Sequence, residues 1–136
     1  MAISMIEWRF SQHQRGQELM EFAILLPVLL LIAFGVLDLG RLFHSAITIT
    51  NAAREGARYG MFDPTDTVGI TTITRAEALN SGIDLSSSVI EVSCPESCGR
   101  GLPIRVTIRH DFQLIMGLVL PTRDLQLEQY AEMMVP

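Results

Sequence analysis

The sequence predicts an α+β protein in which a long N-terminal transmembrane α-helix is followed by a short helix and a small three-stranded antiparallel sheet. Three observations predict it. Residues 22–37 read FAILLPVLLLIAFGVL, sixteen positions without a charge. Ile104, Val106, Ile108, His110 and Phe112 alternate with Arg105, Thr107, Arg109 and Asp111, the period of a half-buried strand. The chain has 136 residues, 49% of them hydrophobic and only 18% charged, with a mean hydropathy of +0.32, which is one modest domain too apolar for an ordinary soluble surface.

Taken in order, Leu19, Met20, Leu39, Leu42 and Phe43 extend the apolar run to about residues 19–43, long enough to cross a bilayer core of ~30 Å with some tilt. A buried helix of a soluble protein is disfavoured, because so short a chain has little other apolar surface to wrap it. A cleaved secretory signal is also disfavoured: the run exceeds the ~7–15 residues of such signals, and no small-x-small site follows it. Ile49, Ala53, Gly56 or Ala57 and Gly60 recur at helical spacing, so residues 17–60 are expected to form one helix. Its Ala52, Gly56 and Gly60 make a small-xxx-small series suited to close packing, against another helix or against the chain's own sheet. Pro27 lacks an amide hydrogen and crowds the carbonyl of Ala23, which predicts a kink or local melting.

Residues 63–66 read as a turn with Thr65 or Asp66 as N-cap. Ile70, Ile73, Ala76 and Leu79 then form a helical stripe that stops at Gly82. Strands are expected over residues 88–94, 104–112 and, more weakly, 125–135. Between the last two, LIMGLVLP (residues 114–121) is an apolar link that packs on the sheet, touches the membrane or faces a partner.

Composition closes several functional classes. All 10 basic residues are arginine, so lysine-dependent phosphate loops, Schiff bases and general bases are excluded. A net charge of -5, with the arginines scattered among 15 carboxylates, argues against a nucleic-acid partner. His13, His44 and His110 form no hydrolytic constellation. Neither an enzyme nor a cofactor or metal site is expected.

Glu21 stands just inside the apolar run, where an ionised carboxylate is costly and calls for a partner. Before it lies a polar stub ending in Arg15-Gly16, then Gln17-Glu18-Leu19-Met20-Glu21-Phe22. This resembles the processing motif of type IV prepilins, cut after a glycine and carrying glutamate as the fifth mature residue. The resemblance makes residues 1–16 a leader, Gly16 and Gln17 the cleavage pair, and Glu21 the acceptor for a neighbouring subunit's new ammonium. With Glu21-Phe22-Ala23 continuing to Leu25-Leu26-Pro27, then Leu39-Gly40-Arg41 and NAAREGARYG (residues 51–60), the sequence is similar to the TadE-like family, minor pilins or pseudopilins of the tight-adherence (Flp) pilus system. Where major Flp pilins have tyrosine after the glutamate, this chain has Phe22.

The resemblance implies a type IV pilin-like fold and a structural role in adhesion and surface attachment. The implied partners are the lipid bilayer, a prepilin peptidase, other pilin or pseudopilin subunits and the pilus assembly platform. The implied location is the bacterial cytoplasmic (inner) membrane, crossed once, with the N-terminus inside and residues 61–136 outside. Charges around the span do not decide orientation, since Arg9 and Arg15 precede it and Arg41, Arg54 and Arg58 follow. Asp38 and Arg41, three apart, either neutralise each other or pair with a neighbouring subunit during assembly. Cys94 and Cys98 favour a disulfide if they lie outside the cytoplasm. A zinc site from them with His110 suits the C-x3-C spacing poorly. The alternative function is an uncleaved, membrane-anchored extracytoplasmic binding module.

Overall fold

The computed structural model describes residues 11–118, 121 and 124–136. Residues 1–10, most of the expected leader, and residues 119–120 of the apolar link lie outside the described residues. Helix α1 runs over Ser11–Gly60, beginning at Ser11 where the expected helix began at Gln17. The added residues include the good helix formers Gln12, Gln14 and Arg15, which carry the helix through Gly16. The helix is continuous through Pro27, with no melted stretch. One missing amide removes a single bond from a long ladder, and neighbouring turns hold the helical path.

The chain divides into two compact units, residues 1–37 and residues 38–136. In the first, residues 16–34 are all exposed, including Leu19, Phe22, Ile24 and Ile32. The most apolar stretch of α1 is only 6% buried, so it is not the core helix of a soluble fold.

The second unit takes in the rest of α1, helix α2 (Thr67–Asn80) and strands β1 (Val89–Ser93), β2 (Pro103–Gln113) and β3 (Asp124–Met134), with a 3₁₀ turn at Ile115–Leu118. The sheet is antiparallel with order β1-β2-β3, pairing Ile90 with Ile108 and Val106 with Ala131. The alternation in β2 places Ile104, Val106, Ile108 and Phe112 inward and buried, as its period predicts, with His110 half-buried. Ile49, Ala52, Ala53 and Ala57 of α1 join them in the core, where their short side chains let helix and sheet come close. The outer face is laced by ion pairs, Arg105 with Glu132 and Arg109 with Glu128 at 2.9 Å and Glu91 at 3.6 Å. Exposed cross-strand pairs of this kind fix register more than they add stability.

Helix α2 starts at Asp66, whose Oδ1 accepts from the Gly69 amide at 2.9 Å and whose Oδ2 accepts from the Tyr59 hydroxyl at 3.0 Å. That bond, with the nearby carboxylate charge, holds the Tyr59 phenol above its ordinary pKa. The helix ends as expected at Gly82, with φ of 85°. The Ile83 amide reaches back to the Ala78 carbonyl and the Gly82 amide to Leu79, each at 2.9 Å, a Schellman ending. Its buried face differs from the expected stripe. Ile70, Thr74 and Ala78 are buried, whereas Leu79 is 63% exposed.

The reason lies on α1. A Cβ at Gly56 would stand 2.1 Å from Thr74 Oγ1, and one at Gly60 would stand 2.6 Å from Ile104 Cδ1 and 3.1 Å from Ile70 Cδ1. The small-residue series is therefore used inside the fold, against α2 and β2. Thr74 tolerates this burial because its hydroxyl donates to the Ile70 carbonyl at 2.8 Å.

Cys94 and Cys98 are bonded, with Cα atoms 5.3 Å apart, so neither sulfur is available as a zinc ligand. The ring they close is short. The double variant Cys94→Ser, Cys98→Ser is expected to lose about 2 kcal/mol by the loop-closure relation, read as a lower denaturant midpoint. A midpoint equal to the parent's would show that the bond adds nothing to stability.

Candidate functional site

The residues singled out by sequence fall in both units. Gly16, Gln17 and Glu21 lie on the N-terminal part of α1, all exposed. Nothing comes within 4 Å of a Cβ built on Gly16. Gln17 and Glu21 are four apart and share a helix face. Gly16 is the weakest helix former in this stretch and lowers the cost of unwinding the helix there. Glu21 makes no hydrogen bond or ion pair with any described side chain.

Asp38 and Arg41 belong to the second unit and meet there, Arg41 Nη1 donating to Asp38 Oδ1 at 3.3 Å. The larger part of the Asp38 environment is one that sequence reasoning missed. Its carboxylate is buried and accepts from the backbone amides of Ile115 and Met116, at 3.0 Å to Oδ1 and 2.8 Å to Oδ2. Asp38 thus ties the first turn of the 3₁₀ segment to α1, from 77 residues away in sequence. Arg41 stays half-exposed, with its guanidinium 5.1 Å from the Phe112 ring centroid and 3.5 Å from the Gln113 carbonyl. A signal for the bond existed: LIMGLVLP has no polar side chain to cap its own backbone, and Asp38 is the carboxylate that closes the apolar run.

Beside Arg41 lies an open cleft of about 400 Å³, lined among others by His44, Asp84, His110 and Asp111. His110 Nδ1 shares a hydrogen bond of 2.8 Å with Ser88 Oγ. Among the described residues no group of three His, Cys, Asp or Glu side chains is placed to hold a metal.

These features define an α+β protein with one N-terminal apolar helix of the kind compatible with single-pass membrane anchoring. Within that class, residues 16–58 match the family model of TadE-like proteins, the family that the sequence resembles. The match opens on Gly16 and covers the uncovered apolar stretch, Asp38, Arg41 and the alanine-rich core face of α1. No curated protein and no solved structure matches the chain.

Proposed function

We propose that this chain is a minor pilin or pseudopilin of a tight-adherence pilus. On this reading it is inserted in the bacterial cytoplasmic membrane with its N-terminus inside and cut after Gly16 by a prepilin peptidase. Its helix then packs with other pilin subunits or the assembly platform, in the service of adhesion and surface attachment. The observation that carries the reading is a TadE-like match that begins at the cleavage glycine and runs along an uncovered apolar helix. The unpaired Glu21 supports it, being a charge in an apolar run with no described side chain to neutralise it. The Cys94–Cys98 bond supports an oxidising exterior for the folded unit.

Mass spectrometry of the N-terminus, in cells with and without the peptidase, tests the processing. A chain starting at Gln17 is expected only where the peptidase is present. An intact Met1 in both cells sinks the pilin reading in favour of an uncleaved binding module, for which the cleft beside Arg41 is the specific feature. Glu21→Ala is expected to leave membrane insertion unchanged and to reduce the subunit recovered in sheared surface filaments at least ~10-fold, the effect of losing about 1.4 kcal/mol of subunit affinity. Wild-type recovery would remove Glu21 from the assembly contact.

A further inference from the structure

The link between β2 and β3 carries no polar side chain from Leu114 to Pro121, yet Leu114–Met116 are not buried. Ile115 is 44% exposed, and Leu114 and Met116 are half-buried. Three of its backbone donors are nevertheless satisfied from within. The amides of Ile115 and Met116 donate to Asp38, and that of Gly117 donates to the Leu114 carbonyl at 3.2 Å. A loop facing water has no need of a buried carboxylate for this, because water supplies the acceptors. A loop facing hydrocarbon does need one, since each unsatisfied donor there costs several kcal/mol.

The position of the anchor points the same way. Asp38 directly follows Leu37, the last residue of the charge-free run, so the link is held where that run ends. Leu39 and Phe43, one turn apart on α1 at the same end of the folded unit, are 54% and 65% exposed. Arg41 between them is half-exposed over the Phe112 ring, an amphipathic placement suited to a headgroup boundary.

We infer that Leu114–Met116 is a second membrane contact, resting its apolar side chains in the headgroup boundary of a bilayer. This rests on the reading of residues 19–37 as membrane-embedded. The occupant is lipid rather than a protein groove because Asp38, which holds the link, directly follows the apolar run in sequence.

The test uses the full chain with Trp8, the single tryptophan, changed to Phe, reconstituted in phosphatidylcholine vesicles with or without bromine on the acyl chains near the headgroups. One tryptophan is then placed at a time. Leu30→Trp reports on the span, Ile115→Trp on the link, and Phe62→Trp, at a position 75% exposed after the C-terminal end of α1, on the solvated body. Bromolipid is expected to remove about half the fluorescence of Ile115→Trp, as for an interfacial aromatic, to quench Leu30→Trp as well, and to leave Phe62→Trp unchanged. Quenching at position 30 with none at 115 overturns the inference and spares the membrane reading. No quenching at either position overturns both. A tryptophan at 115 shielded from aqueous acrylamide yet untouched by bromolipid assigns the surface to a protein neighbour and also overturns the inference. Leu114→Trp repeats the measurement should Ile115→Trp fail to fold.

Discussion

Asp38→Ala is expected to lower the melting temperature of the detergent-solubilised chain by on the order of 10 °C, a large shift for a unit of this size. The substitution removes one acceptor group and strands three donors, the amides of Ile115 and Met116 and the Arg41 guanidinium. Buried donors left without partners carry their full desolvation penalty, whereas the Arg41 head is half-exposed and turns to water. The expected order of loss is therefore Asp38→Ala, then Asp38→Asn, which keeps one acceptor oxygen, then Arg41→Ala. Should Arg41→Ala match Asp38→Ala, the ion pair and not the backbone bonds would be what holds the 3₁₀ turn. Differential scanning calorimetry in one detergent, with the disulfide intact, makes the comparison.

Gly56→Ala is the second large effect, and its sign is the informative part. Replacing an interior helical glycine by alanine ordinarily stabilises by roughly 0.5–1 kcal/mol. At Gly56 the new methyl would lie 2.1 Å from Thr74 Oγ1, inside any allowed contact, so α2 must shift or Thr74 must rotate away from the Ile70 carbonyl. A loss of about 1–3 kcal/mol is expected, the range for overpacked cores. Two comparisons isolate the cause. Gly40→Ala, with nothing within 4 Å of its new methyl, is expected to show the ordinary stabilisation. Thr74→Ala removes the clashing oxygen and leaves a Cβ at 3.4 Å, so the double variant with Gly56→Ala is expected to regain most of the loss. Strict additivity of the two changes in urea unfolding would show that the helices do not meet at this point.

Period and punctuation were readable without coordinates. The alternation of residues 104–112 gives the inward set of β2, and Gly82 gives the end of α2, because each depends on neighbours within a turn or a strand pair. The α2 stripe was misread by weighing side chains for hydrophobicity alone. Thr74 is buried in preference to Ile73 and Ala76 because Gly56 offers it a recess and its hydroxyl bonds within its own helix. The open choice for Ala52, Gly56 and Gly60 needed the partners across the fold, Thr74, Ile70 and Ile104, to resolve it. The tie from Asp38 to Ile115 and Met116 spans more than half the chain, and in sequence the nearby Arg41 accounted for the carboxylate well enough to hide it. Glu21, Gly16 and Gln17 are the opposite case, legible as a spacing and placed by the fold on an uncovered helix face.

Within the second unit α1 runs unbroken from Asp38 into the core. This has a mechanical consequence. Tension applied to this unit at Asp38 arrives at Ile49, Ala53 and Ala57, which are part of the core, with no slack chain between to lengthen first. A load entering there would therefore test the core before any loop of the unit had straightened.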